Sequence, residues 1–169
     1  LAKVKPLSWT TFDVRAGEAA ASTLSVTNKT VENANYKVTI NKAGDIASII
    51  DKANGNREML AGPAQIHFQF HKPQYFPAWN MDWNDQKRPP QEILEGPAKV
   101  RIVENGPVRV ALEVTREGRN SIFVQQIRLT AGAPGKRVEF KTHIDWQGRE
   151  CAVKAAFPLS VSNKHATYN

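Results

Sequence analysis

One cysteine, no long apolar run and no sustained helical period are the absences that bound this sequence. Because Cys151 is the sole cysteine, neither an intrachain disulfide nor a cysteine-built zinc cluster can form. No run approaches the roughly 20 apolar residues of a membrane-spanning helix, and the opening residues lack the apolar stretch of a signal peptide, so no membrane contact is expected. Acidic residues are outnumbered, 16 against 23 basic, for a net charge of +7. The basic side chains are nevertheless scattered singly rather than grouped with aromatics, which argues against nucleic acid as a partner. Arg109, Arg116, Arg128 and Lys141 read as outward neighbours of inward valines and leucines. No G-x-S-x-G is present, and no Ser, His and acid grouping marks a nucleophilic triad.

What is present is alternation. Hydrophobic residues at 41% and charged residues at 23% exclude a disordered chain. In the stretch 137–161, Val138, Phe140, Thr142, Ile144 and Trp146 fall on one side of an extended strand, with Glu139, Lys141, His143 and Asp145 opposite. Gln147-Gly148 offers a turn, and Val153, Ala155, Phe157, Leu159 and Val161 resume the pattern, so this stretch predicts a long antiparallel hairpin. Phe140, Ile144, Trp146, Phe157 and Leu159 are the expected core, under a second layer that covers their apolar stripe.

The same pattern runs along most of the chain. Residues 7–14 read as a short strand or connector, and the small residues at 17–22 as a boundary. Tyr36, Val38 and Ile40 alternate, a turn follows at 41–44, and 46–50 returns as the partner strand. Asn54-Gly55 is a strong turn dipeptide because both residues tolerate positive φ. Ile66, Phe68 and Phe70 form another apolar face, and strands resume at 98–104, 108–114 and 122–130. Glycines fall between these runs, no stretch of ten or more residues shows a 3.6-residue apolar period, and the strand spacing is roughly 8 to 12 residues. The expected fold is all-β, a large antiparallel β-sandwich, with a closed barrel as the alternative.

Residues 72–90 break the regularity. They carry Pro73, Pro77, Pro89 and Pro90 beside Tyr75, Phe76, Trp79 and Trp83. That is too much proline for a sheet interior and too many aromatics for an idle linker, so a structured loop is expected. Flat aromatic faces stack on sugar rings, although proline-aromatic packing that stiffens a loop is the plainer account. Asp82 and Asp85 are the close carboxylate pair in this loop, the arrangement that glycoside hydrolysis uses, with turn and capping roles as the alternative. His67 and His71, four residues apart on a strand, are separated by about 13 Å and cannot share one zinc held about 2 Å from each ligand.

Several stretches together resemble glycoside hydrolase family 38, the retaining α-mannosidases, in the β-rich region that follows their catalytic domain and helical bundle. They are Val31-Glu32-Asn33 leading into Tyr36-Lys37-Val38, then 44–52, the loop Ala78-Trp79-Asn80-Met81-Asp82, and Asp145-Trp146 followed by 153–159 and Ala166-Thr167-Tyr168. The resemblance covers most of 28–169. It implies a supersandwich of the galactose-mutarotase-like type over 28–169, with 1–27 as connector strands from the preceding domain. It also implies an enzyme that removes terminal α-linked mannose with zinc and a nucleophilic aspartate, both in preceding domains.

On that reading this chain holds no catalytic residue, metal or cofactor of its own. Tyr75, Trp79, Asn80 and Asp82 are the candidates for contact with the sugar cleft or with the enzyme's own catalytic domain, and mannose-containing glycans are the expected partners. The family loop has acids where Asn80 and Pro77 stand here, so the loop either lines the cleft or buttresses it. An independent carbohydrate-binding module and a structural spacer are the alternatives. The compartment is left open, a periplasmic or secreted one fitting glycan degradation. Ala166-Thr167-Tyr168 reads as the opening of a further strand, which predicts a sandwich cut short at its C-terminus that self-associates through an exposed sheet edge.

Overall fold

The computed structural model describes residues 4–18 and 21–165. Its strands are β1 (Ser25–Val26), β2 (Thr30–Glu32), β3 (Tyr36–Ile40), β4 (Ile46–Asp51), β5 (Arg57–Glu58) and β6 (Gln65–Phe70), then β7 (Glu92–Ile93), β8 (Lys99–Asn105), β9 (Arg109–Gly118), β10 (Ser121–Thr130), β11 (Glu139–Asp145) and β12 (Cys151–Ala156). A single turn of helix, α1 (Trp83–Gln86), lies between β6 and β7. The expected all-β antiparallel sandwich is what forms.

Three sheets build two layers. β1 to β5 make a five-stranded meander, β8 to β11 a four-stranded one in the order β11-β10-β9-β8, and β6 sits between β12 and β7 in a third sheet. A bridge between Ile46 and Ala64, with backbone hydrogen bonds of 3.3 and 2.8 Å, joins the third sheet to the first. The four-stranded sheet packs across both. Val110, Leu112, Val114, Ile127 and Leu129 meet Val31, Val38, Ile40, Ile46 and Ile49 of the first sheet. Phe123 meets Ile66 and Phe68 of the third, with Leu94.

The meander turns are those that the local residues demand. After β3, Gly44 adopts φ +84° and its N–H donates to Asn41 O, while Asn41 Oδ1 accepts from Asp45 N at 2.9 Å. An alanine there would strain the backbone and drive Cβ to 2.7 Å from the side chains of Ala98 and Val114. Asn33 turns β2 into β3 by accepting from Asn35 N and Tyr36 N, and its amide reaches the other layer to donate to Thr130 O at 3.0 Å and Gly135 O at 2.9 Å.

Three expectations change. The stretch 137–161 is not a hairpin: β11 pairs with β10, and β12 pairs with β6 in the other layer. The cause is Trp146, whose indole turns inward to stack on Phe68 at 6.1 Å and meets Phe123 edge-on at 6.3 Å, so the chain after it crosses between layers. Gln147 N donates to Ser121 Oγ at 2.8 Å and fixes that crossing. Phe140, Ile144 and Trp146 pack against the core, but Phe157 and Leu159 are 39% and 54% exposed and frame an open apolar hollow of about 230 Å³ with Phe140, Tyr36 and Met59. Arg116 points inward, not outward. Of the two readings of 7–14, strand or connector, the connector is the one that agrees with residues 4–18, which form no strand and leave Leu7, Trp9 and Val14 exposed. Ala166, Thr167 and Tyr168, read as a further strand, lie outside the described residues.

Candidate functional site

The candidate site is the loop that leaves the end of β6 and returns at β7, and four consecutive residues, 69 to 72, hold it. Ile66 and Phe68 enter the core, which turns Gln69 to the opposite face of the sheet. Gln69 is nevertheless buried, because α1 and the residues after it lie over it. Its amide donates to Asp85 O at 3.0 Å and to Arg88 O at 2.7 Å. The Arg88 guanidinium lies over the Phe70 ring, 4.7 Å from its centroid. His71 Nε2 is 3.1 Å from Pro77 O, and Lys72 N donates to Asp85 Oδ2 at 3.1 Å.

The loop's own backbone tightens the rest. Phe76 has φ +52°, an uncommon conformation for an aromatic residue, and its carbonyl accepts from Trp79 N at 2.9 Å and Asn80 N at 2.8 Å. Asp82 precedes α1, and its carbonyl accepts from Asp85 N and Gln86 N. Asn80 Nδ2 donates to Asp82 Oδ1 at 2.7 Å. Gln86 Nε2 donates to Met81 O at 2.8 Å.

On this fixed frame the aromatics face outward. Trp79 is 91% exposed and Trp83 72%, with Tyr75 and Phe76 also on the surface. The structure therefore brings Trp79, Asn80 and Asp82 together at one end of the loop, with Tyr75 on the limb leading to Phe76. It separates the carboxylate pair: Asp82 is half-buried at the helix start, while Asp85 is buried under it as an anchor. Asp85 thus ties α1 to the chain just past β6 through Lys72 N, while Asp82, at the helix N-cap, makes no side-chain capping bond. Gln69 carried no signal in the sequence, because alternation assigned it to an outer face and nothing local shows that a later turn covers that face.

The histidines do not form a zinc cradle. His71 is committed to Pro77 O, His67 lies 3.5 Å from Gln65 Oε1, and no group of three or more His, Cys, Asp or Glu among the described residues is placed to hold a metal. No donor set among the described residues fits zinc, which the family resemblance assigns to preceding domains. Cys151, half-buried at the start of β12, has its thiol pushed up by burial, with Glu92 adding to that effect and Arg119 opposing it.

The model of the glycosyl hydrolases family 38 C-terminal domain matches residues 31–169. The chain belongs to that family. No curated protein matches it. In this family 38 domain the match begins within β2 and takes in β3 to β12 and the aromatic loop, so the loop is part of the family domain and not an appendage beside it.

Proposed function

We propose that this domain is the non-catalytic β-sandwich of an α-mannosidase that removes terminal α-linked mannose from glycans with retention of configuration, and that it packs on the catalytic domain and lines the sugar cleft with the loop 75–85. The zinc and the nucleophilic aspartate of that enzyme belong to its catalytic domain, and residues 1–27 serve as the connector to it. The observation that carries this reading is a loop fastened at both limbs to β6 while Trp79 and Trp83 stay open to solvent. Rigid aromatic faces beside an amide–carboxylate pair, Asn80 and Asp82, suit a ligand with an apolar ring face and hydroxyl edges.

The test is to assay this chain and the complete enzyme on an aryl α-mannoside. The complete enzyme is expected to turn over and the chain alone, with or without added zinc, to show none. Turnover by the purified chain that disappears in Asp82→Asn would overturn the reading.

The same open aromatics favour a second reading, an independent carbohydrate-binding module. Titrating mannosides into the chain separates the two, since a module binds at millimolar strength or better by itself. β11 also has no strand beside its outer edge among the described residues, so the chain is expected to self-associate at high concentration, measurable by sedimentation.

A further inference from the structure

We propose that Gln69 and Asp85 are positioning residues, whose role is to fix where Trp83 and Asp82 stand relative to the sugar cleft. This rests on the reading of the loop given above.

Both side chains are polar and buried on the face of β6 that points away from the core, Gln69 5% and Asp85 7% exposed. Burial alone does not require polarity there: a leucine or methionine at 69 fills similar space against α1. What the amide adds is direction. Its two N–H groups each meet a carbonyl, that of Asp85 in α1 at 3.0 Å, which also accepts from Arg88 N at 3.3 Å, and that of Arg88, two residues past α1, at 2.7 Å. Asp85 answers in the reverse direction: its Oδ2 accepts from Lys72 N at 3.1 Å, just past the end of β6, and Arg88 Nη2 lies 3.8 Å from its Oδ1.

Strand side chain to loop backbone and loop side chain to strand-end backbone form a reciprocal clamp, which fixes the rotation and height of α1 over the sheet. α1 is one turn long, from Trp83 to Gln86, so a shift at its C-terminal carbonyls is passed to Trp83 and to Asp82 just before it. An exposed recognition loop that only had to exist would not need two buried polar side chains beneath it. One that must hold an aromatic face in a set place does.

The test compares Gln69→Met, which keeps length and removes both donors, with Asp85→Ala and Asp85→Asn, the last retaining an acceptor for Lys72 N–H. In this chain, hydrogen exchange is expected to lose protection at 83–88 for Gln69→Met and Asp85→Ala while β9 and β10 keep theirs. In the complete α-mannosidase both variants are expected to lower kcat/KM on a mannoside about 10- to 100-fold, the range in which support residues behind a site act, with Asp85→Asn retaining most of the activity.

Full activity in Gln69→Met, with Trp79→Ala damaging, would overturn the positioning role and leave the loop reading standing. Full activity in Trp79→Ala would overturn both. A loss of protection spread across β9 and β10 in both Gln69→Met and Asp85→Ala would make the pair packing residues and overturn the proposal.

Discussion

Arg116 Nη1 donates to Asp45 Oδ1 at 2.6 Å in the seam between the two layers, with side chains only 2% and 5% exposed. The same nitrogen reaches Leu94 O at 3.0 Å, and Asp45 Oδ2 accepts from Asn41 and Gln65 at 3.3 Å each. One contact set therefore ties the β3–β4 turn, the start of β6, the chain after β7 and strand β9 together. It stands where the first and third sheets meet over β9 of the four-stranded sheet, so a break there loosens both core clusters at once.

Removing one member of a buried, hydrogen-bonded ion pair leaves the other charge uncompensated, which costs about 3 to 5 kcal/mol. Arg116→Met is expected to lower stability by that amount in urea unfolding, and the double variant Arg116→Met with Asp45→Leu to recover much of it. A single variant with an unchanged urea midpoint would show that the pair is not bearing on the seam.

Gly148 explains the crossing after β11. An added Cβ would lie 2.3 Å from Trp146 Cζ2 and 2.4 Å from Cη2, inside the indole and not against a flexible tip. Gly148→Ala must therefore displace Trp146 from its stack with Phe68, at a cost of about 1 to 3 kcal/mol for overpacking. A lowered thermal midpoint together with altered Trp146 fluorescence, isolated in a variant lacking the other tryptophans, is the expected result.

The acid limb of the stability curve should carry the mark of three carboxylates, one of them Glu104, which its hydrogen bond with Arg109 holds below the ordinary 4.5. For Glu58, burial acts to raise the carboxyl, but hydrogen bonds from Ser48 Oγ and from the backbone N–H groups of Leu60, Ile49 and Met59 outweigh it and hold the group below the ordinary 4.5. For Glu113, the hydrogen bond from Gln126, joined by Arg101, holds it below 4.5 against the opposing effect of burial. A folded-state value below the unfolded one means stability that is fully present above about pH 4.5 and lost as pH falls through the folded value. Glu58→Gln is thus expected to be less stable than the parent at pH 7, with the gap narrowing below pH 4.5 in denaturant titrations.

Strand positions were legible because alternation survives wherever one face is buried: β3, β4, β9 and β10 stand where Val38, Ile49, Leu112 and Ile127 place them. Pairing was less legible, since the same alternation in β11 and β12 is satisfied by a hairpin or by two different neighbours, and the choice falls to the packing of Trp146. Phe157 and Leu159 continue the pattern beyond the last residue of β12 and touch Phe140 and Leu60, yet they stay 39% and 54% exposed, and periodicity carries no information on cover. Arg116 escaped for the opposite reason: a charge on an apolar face is only legible once Asp45 is known to face it.

Within the loop, Trp79, Asn80 and Asp82 could be picked out by residue type, because exposed aromatics and paired polar groups are recognisable locally. Gln69 and the anchoring role of Asp85 could not, since they depend on a turn folding back over a strand end 16 residues away.

The most direct measurement is kcat/KM on a terminal α-mannoside for the complete enzyme carrying Trp79→Ala, read beside its thermal midpoint. An aromatic face that meets the sugar contributes up to about 1.5 kcal/mol beyond its buried area, so a loss of roughly tenfold or more with an unchanged midpoint is the expected result. Kinetics equal to those of the unaltered enzyme would contradict the placement of this loop at the sugar cleft.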